Sequence, residues 1–457
     1  MCMRTTMLFL AAAGLAFPPL HATARAADSK RNVQIAEGLR EISAKNIEAT
    51  IRKLVSFGTR HTLSDATSET RGIGAARRWI QSELERYSKD VDGRLEVTMD
   101  EFTQPPGERN PEPVQVVNVV ATLPGSQPES RDRMYVVTGH YDSRVSDPMN
   151  ATDDAPGAND DASGVAAVME MARVMSKRKW DATLVFIAVA GEEQGLFGST
   201  HWAQMAKEKG WNVAGMITND IIGSSHADDG RVDNKHVRLF AEGVPPMREV
   251  PDELRSMIRT GGENDSSARE LARFIKTTAG KHVPGMTVNI IYRRDRYLRG
   301  GDHSPFLDAG FPAVRMTEQN EDFRHQHQDL RTENGVKFGD LPEFCDFDYI
   351  AQVTRVNAAA LGALALAPAA PRDVKMETKE LTNDTTLTWR ANEEPDVAGY
   401  KILWRETMAP LWEKSADAGN VTRFTLPKIS KDNYLFGVCA VDREGNVSPA
   451  VYPAPAR

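Results

Sequence analysis

Six short stretches place histidines and acids where they could hold cations. They are Gly139-His140-Tyr141-Asp142-Ser143, Asn159-Asp160-Asp161-Ala162-Ser163-Gly164, Gly191-Glu192-Glu193-Gln194-Gly195, Asn219-Asp220, Gly301-Asp302-His303-Ser304 and His325-Gln326-His327-Gln328-Asp329. Singly, each has an ordinary explanation. A histidine after a strand is commonly a satisfied surface or core residue, and Glu-Glu is commonly a solvated face. Asp-Asp-x-Ser-Gly is commonly a turn with a helix cap, for which Ser163 is well placed. Together they ask for more, because apolar, β-branched runs precede three of them: Met134–Thr138, Thr183–Val189 and Val213–Ile217. Carboxylates gathered at the ends of buried strands repel one another and resist desolvation. Bound cations resolve that conflict, and two histidines with three carboxylates, without a thiolate, suit zinc at a hydrolytic site.

Over residues 36–362 the order of these motifs resembles the co-catalytic di-zinc aminopeptidase family, which also contains glutamate carboxypeptidases and glutaminyl cyclases. The resemblance implies a zinc-exopeptidase fold with two zinc ions and peptide substrates. It implies that His140 and Asp220 hold one ion, Glu193 and His325 the other, and that Asp160 bridges them. Glu192 matches the general base, and Asp142 the carboxylate that orients the imidazole of His140. Asp302 and His303 match an Asp-His pair near the site that positions substrate or water; a helix-capping turn is the alternative. His325 has the family's spacing to Asp329, yet His327 stays open, since both rings of an extended segment would face one side. Tyr297 lies in the very polar stretch Arg293–Arg299 and reads as an exposed tyrosine.

The implied reaction is exopeptidase cleavage, with an aminopeptidase first. A carboxypeptidase or dipeptidase is the alternative, with Arg293, Arg294, Arg296 and Arg299 available to grip a substrate carboxylate. A one-zinc glutaminyl cyclase and a non-catalytic exported binding protein complete the set.

The elements that must position these residues follow from hydrophobic periodicity. Residues 36–86 repeat at helical spacing, with Ala75, Ala76, Trp79 and Ile80 on one face of Gly72–Leu84. From Val114 onward strands (Val114–Leu123 and the three above) alternate with helices at Gly164–Met175 and Leu196–Lys207. Near-continuous apolar strands alternating with helices predict an α/β fold around a mixed, mostly parallel sheet, with ligands at the strands' carboxyl ends.

Ala360–Pro371 runs from a helix into an Ala/Pro linker. Beyond it, short alternating runs at Thr385–Trp389, Gly399–Trp404, Phe424–Leu426 and Tyr434–Val441 predict a small all-β sandwich over 371–457. It resembles a fibronectin type III domain and suggests attachment to a surface or partner, with 27–366 as the catalytic domain. Residues 1–26 read as an export signal: Arg4, the apolar run Met7–Phe17, then Ala24-Arg25-Ala26 with cleavage after Ala26. A periplasmic or secreted protein is the expectation. The apolar run is too short for a membrane anchor. A net charge of -8 over 457 residues argues against nucleic-acid partners. Two cysteines, Cys345 and Cys439, remain after the signal and read as buried, reduced thiols.

Overall fold

The computed structural model describes residues 31–245 and 250–456, so the export signal lies outside the described residues. Eight strands build the main sheet: β1 (Glu96–Gln104), β2 (Val114–Leu123), β3 (Arg133–His140), β4 (Thr183–Val189), β5 (Asn212–Asn219), β6 (His236–Ala241), β7 (Thr287–Ile291) and β8 (Ala313–Glu318). Their order is β1-β2-β4-β3-β5-β8-β6-β7. The centre, β4-β3-β5-β8, is parallel, whereas β2 joins β4 and β6 joins β8 antiparallel. The sheet is therefore mixed and parallel where it matters, since parallel neighbours bring their carboxyl ends to one edge.

Helices cover both faces: α1 (Val33–Glu41), α2 (Ala44–Val55), α3 (Gly72–Lys89), α4 (Ala162–Met175), α5 (Phe197–Glu208), α6 (Asp252–Arg259), α7 (Ser267–His282), α8 (His303–Ala309) and α9 (Phe347–Leu366). The period-two alternation of a strand sorts the side chains. Tyr135 and Val137 of β3 join the large core with α4 and α9, while Val136 joins the smaller one with Trp202 and Phe306. Among the described residues no helix is long and apolar enough to cross a membrane.

One local expectation is corrected. Asp161, not Ser163, caps α4, accepting from Gly164 N at 2.9 Å. Ser163 instead donates to the Asn159 carbonyl at 2.7 Å. The glycines make room here: a Cβ on Gly139 would lie 2.5 Å from the Gly164 carbonyl carbon, so a side chain would push α4 off β3.

A hairpin, β9 (Arg331–Glu333) and β10 (Val336–Phe338), follows the last histidine motif. The C-terminal segment then supplies β11 (Arg372–Glu377), β12 (Thr385–Arg390), β13 (Val397–Glu406), β14 (Lys414–Gly419), β15 (Arg423–Leu426), β16 (Tyr434–Asp442) and β17 (Ala454–Ala456). They form sheets β15-β12-β11-β17 and β14-β13-β16 around a core that includes Trp389, Tyr400, Ile402 and Phe436. Residues from Arg31 onward form one compact unit. Buried polar contacts join its parts. Arg405 of β13 grips Asp265, just before α7, at 2.7 and 2.9 Å; Trp412 donates to Glu270 at 2.9 Å, and Arg133 meets Glu394 at 2.9 Å. Cys439 is buried and Cys345 half-buried, and both are free thiols.

Candidate metal centre

Residues scattered over nearly two hundred positions meet at the carboxyl edge of the parallel strands. His140 closes β3, Asp220 follows β5, and Glu192 and Glu193 follow β4 in a tight loop whose Gly191 and Gly195 adopt positive φ. Asp160 sits just ahead of α4. Two groups of ligand atoms form, each with its atoms within 4.8 Å of one another: His140 with Glu192 and Asp220, and Asp160 with Glu193 and His327. Asp160 joins them, with Oδ1 3.1 Å from His140 Nε2 and Oδ2 2.8 Å from His327 Nε2. Glu193 Oε1 lies 3.0 Å from the same His327 nitrogen.

His325 does not take the place expected for it. Its ring stacks on Phe344 with centroids 3.5 Å apart, and its Nδ1 faces Asp322 at 3.4 Å. The segment is not extended: His327 has φ of 51°, so the two rings diverge instead of sharing a face. Asp329, the spacing partner of His325, accepts from Ser146 Oγ at 2.8 Å. His327 is the histidine at the centre.

The surroundings hold these groups in place. Asp142, fully buried, faces His140 Nδ1 at 3.5 Å and accepts from the backbone N of Glu193 at 3.1 Å and of Glu192 at 3.3 Å. It thereby ties the imidazole to the Glu-Glu loop. Asp161 accepts from the backbone N of His140 at 3.0 Å besides capping α4. Asp302 is buried beside the centre, where burial pushes its carboxyl up to about 7. His303 turns away from the cleft. Its Nε2 meets the Arg294 carbonyl at 2.8 Å, and burial pushes the ring down to about 4, so it steadies a loop as a neutral group. Tyr297 is 81% exposed.

Four residues that carried no expectation matter here. Arg144 lies 2.9 Å from Glu193 Oε2 and 2.6 Å from His327 Nδ1. Arg315, completely buried, reaches Asp220 Oδ1 at 2.9 Å and Asp295 Oδ2 at 3.1 Å. Asp340 accepts from the backbone N of Asn159 and Asp160, both at 2.7 Å. Arg60, also fully buried, donates to the carbonyls of Tyr141, Pro156 and Gly157, fixing the loop between His140 and Asp160. A lone arginine inside the apolar strand Ala313–Met316 was a signal for Arg315, because a buried cation needs an anion. Asp340 sits in a polar loop and offers none.

The residues fit cations. Imidazole nitrogens and carboxylate oxygens are the donors zinc takes at hydrolytic sites. Burial alone would push the Asp160 carboxyl up, but His327 and His140 hold it well below its ordinary range. Glu193 Oε1 is buried, 3.0 Å from His327 Nε2 and aimed between Asp160 and that ring. A buried carboxylate oxygen in that position is a donor waiting for a cation. The centre opens into a cleft of about 260 Å³ lined also by Arg109, Arg296 and Arg299.

Known proteins agree with this chemistry. Residues 118–334 match peptidase family M28. A probable zinc metalloprotease of Leptosphaeria maculans is 55% identical over 415 residues, which are 91% of this chain and 95% of that one. Among solved structures, LapB from Legionella pneumophila has a TM-score of 0.52 at 20% identity, covering 73% of this chain and 76% of its own. An aminopeptidase from Aneurinibacillus sp. strain AM-1 has a TM-score of 0.51 at 16% identity, covering 73% of this chain and 96% of its own. Over the covered part, the two structures share this chain's fold. At 55% identity over nearly its whole length, the chain belongs to peptidase family M28 and is a zinc metalloprotease.

Proposed function

We propose that the chain is an exported aminopeptidase that works with two zinc ions. The observation that carries the two-ion reading is Asp160, which directs one oxygen to each imidazole of the two ligand groups. His140, Asp160 and Asp220 would hold one ion, and Asp160, Glu193 and His327 the other. The cleft of about 260 Å³ is smaller than the usual small-molecule pocket, which favours the end of a chain over a long run of it. The aminopeptidase from Aneurinibacillus, whose fold this chain shares, supports the same direction.

Zinc bound there supplies Lewis acidity, polarising the scissile carbonyl and favouring ionisation of the attacking water. Glu192 lines the cleft with Oε2 4.0 Å from His140 Nε2 and takes the water's proton there, later returning it to the leaving amine. Burial pushes its carboxyl well above the ordinary range, with Asp220, Glu193 and Asp302 adding to the rise and His140 opposing it. Asp142 fixes the His140 ring, and Arg144 fixes Glu193.

The test combines metal analysis with paired substrates. Two zinc ions per chain, and hydrolysis of alanine p-nitroanilide that disappears on N-acetylation, are expected. One ion per chain, or indifference to acetylation, removes the reading. Glu192→Gln is expected to keep its zinc and lose about 10²- to 10⁴-fold in kcat. Export predicts a mature protein beginning at Ala27, which N-terminal sequencing checks.

A further inference from the structure

One wall of the cleft is the loop between β7 and α8, which lines it with Arg296, Arg299 and Gly300 and contains neither helix nor strand. Its far end is fixed from the sheet. Arg315 holds Asp295 at 3.1 Å and the Gly300 carbonyl at 2.7 Å while reaching Asp220 of the metal centre at 2.9 Å. Its near end, Tyr292, is fixed from the C-terminal sandwich. The Tyr292 hydroxyl donates to the Pro410 carbonyl at 2.9 Å, and Arg273 Nε of α7 donates to the same oxygen at 2.8 Å. Two donors engage both lone pairs of that carbonyl. Tyr292 is 36% exposed, so burial does little to place it and the hydrogen bond does more.

Pro410 is itself held firmly. It sits in the turn between β13 and β14, where Ala409 N bonds to the Glu406 carbonyl at 3.0 Å and Glu413 N to the Trp404 carbonyl at 3.3 Å. Arg405 donates to the Ala409 carbonyl and to Asp265, and Trp412 Nε1 donates to Glu270 at 2.9 Å. The turn is thereby clamped against α7 on both sides of Pro410, whose ring fixes φ. Buried ion pairs in the sandwich contact thus hold a carbonyl, the carbonyl holds a tyrosine, and the tyrosine starts the cleft loop.

We propose that the turn 407–413 of the C-terminal sandwich is a prop for the cleft loop, with Tyr292 as the positioning residue through which it sets the substrate-facing wall. The kinetic consequence rests on the exopeptidase reading above. Residues 292–301 carry neither a ligand of the metal centre nor the general base, so loosening them weakens substrate binding and spares the chemical step. KM rises while kcat holds.

The experiment uses the full chain loaded with zinc and three variants. Tyr292→Phe keeps the ring and removes the hydroxyl; Trp412→Phe keeps an aromatic ring and removes the bond to Glu270. Gln127→Ala is the control. It breaks another contact of the sandwich, with Asp396 at 2.9 Å, ahead of β3 and so at the sheet edge opposite the metal centre. Amide hydrogen exchange over 292–301 is expected to quicken by about 2- to 10-fold in both aromatic variants, the range for one hydrogen bond, and to stay at the wild-type rate in Gln127→Ala. With alanine p-nitroanilide, KM is expected to rise by a similar factor in the aromatic variants at constant kcat. Wild-type exchange in both aromatic variants overturns the proposal, and so does loop exchange that quickens equally in Gln127→Ala. Quickened exchange with an unmoved KM, or with a fall in kcat instead, overturns Tyr292 as the residue that sets the wall. If wild type does not cleave this substrate, the exopeptidase reading falls, while the exchange comparison still decides the prop.

Discussion

Asp142→Asn changes almost no volume yet should loosen the whole centre. The carboxylate is fully buried, and both of its oxygens are used. Oδ2 accepts from Thr62 Oγ1 and Glu193 N, each at 3.1 Å, and Oδ1 accepts from Glu192 N at 3.3 Å while facing His140 Nδ1 at 3.5 Å. An asparagine has one acceptor oxygen. Whichever way the amide turns, its NH2 meets one backbone N–H of the Glu-Glu loop, donor against donor. An orphaned buried N–H costs about 1–3 kcal/mol. The negative charge facing His140 is lost as well, and losing such a partner typically weakens metal binding by about 10- to 100-fold. Zinc retained against graded chelator, in wild type and variant, measures the effect, and thermal unfolding reads the orphaned donor. Unchanged zinc affinity together with an unchanged melting temperature would refute the reasoning that Asp142 ties the imidazole to the loop.

Three further outcomes are expected. His327→Ala should lose zinc from the group shared with Asp160 and Glu193, whereas His325→Ala should retain it; metal analysis of the two variants decides, and the reverse result would restore His325. Arg405→Met leaves Asp265 buried with Arg273 at 3.2 Å as its remaining cation. Removing one partner of a buried pair costs about 3–5 kcal/mol, and the residual contact puts this one near the lower end, to be read by denaturant unfolding. Glu321→Gln tests the sign of a pH effect. Burial alone would raise that carboxyl, but Arg296, Arg299 and Arg238 hold it at about 2, against 4.5 ordinarily. The ionised form is therefore favoured in the folded chain, so its stabilisation is complete above about pH 4.5 and is lost as pH falls toward 2. The variant should melt lower than wild type at pH 7, with the gap closing below pH 4.

Much of this was legible in the residues themselves. The strands ending in His140, Glu192-Glu193 and Asp220 could be read directly, because a buried parallel strand must be apolar along its length and can carry chemistry only where it stops. Asp160, Asp142 and the family relationship were legible for the same reason: motif types and their order are properties of the chain. The tertiary structure decided which of two histidines enters the centre. One residue in the left-handed region reverses the segment, and a positive φ at a histidine leaves no trace in hydrophobic periodicity. It also decided the partners that lie far off in sequence. Arg144, Arg315, Asp340 and Arg60 act through contacts spanning up to 183 residues, and the pairing of Arg405 with Asp265 makes the C-terminal sheets part of one unit with the main sheet. Local sequence specifies backbone preference and which face is apolar. Which charges meet across a core is determined only when the chain closes on itself, because a buried ion pair is favourable only with both members in place.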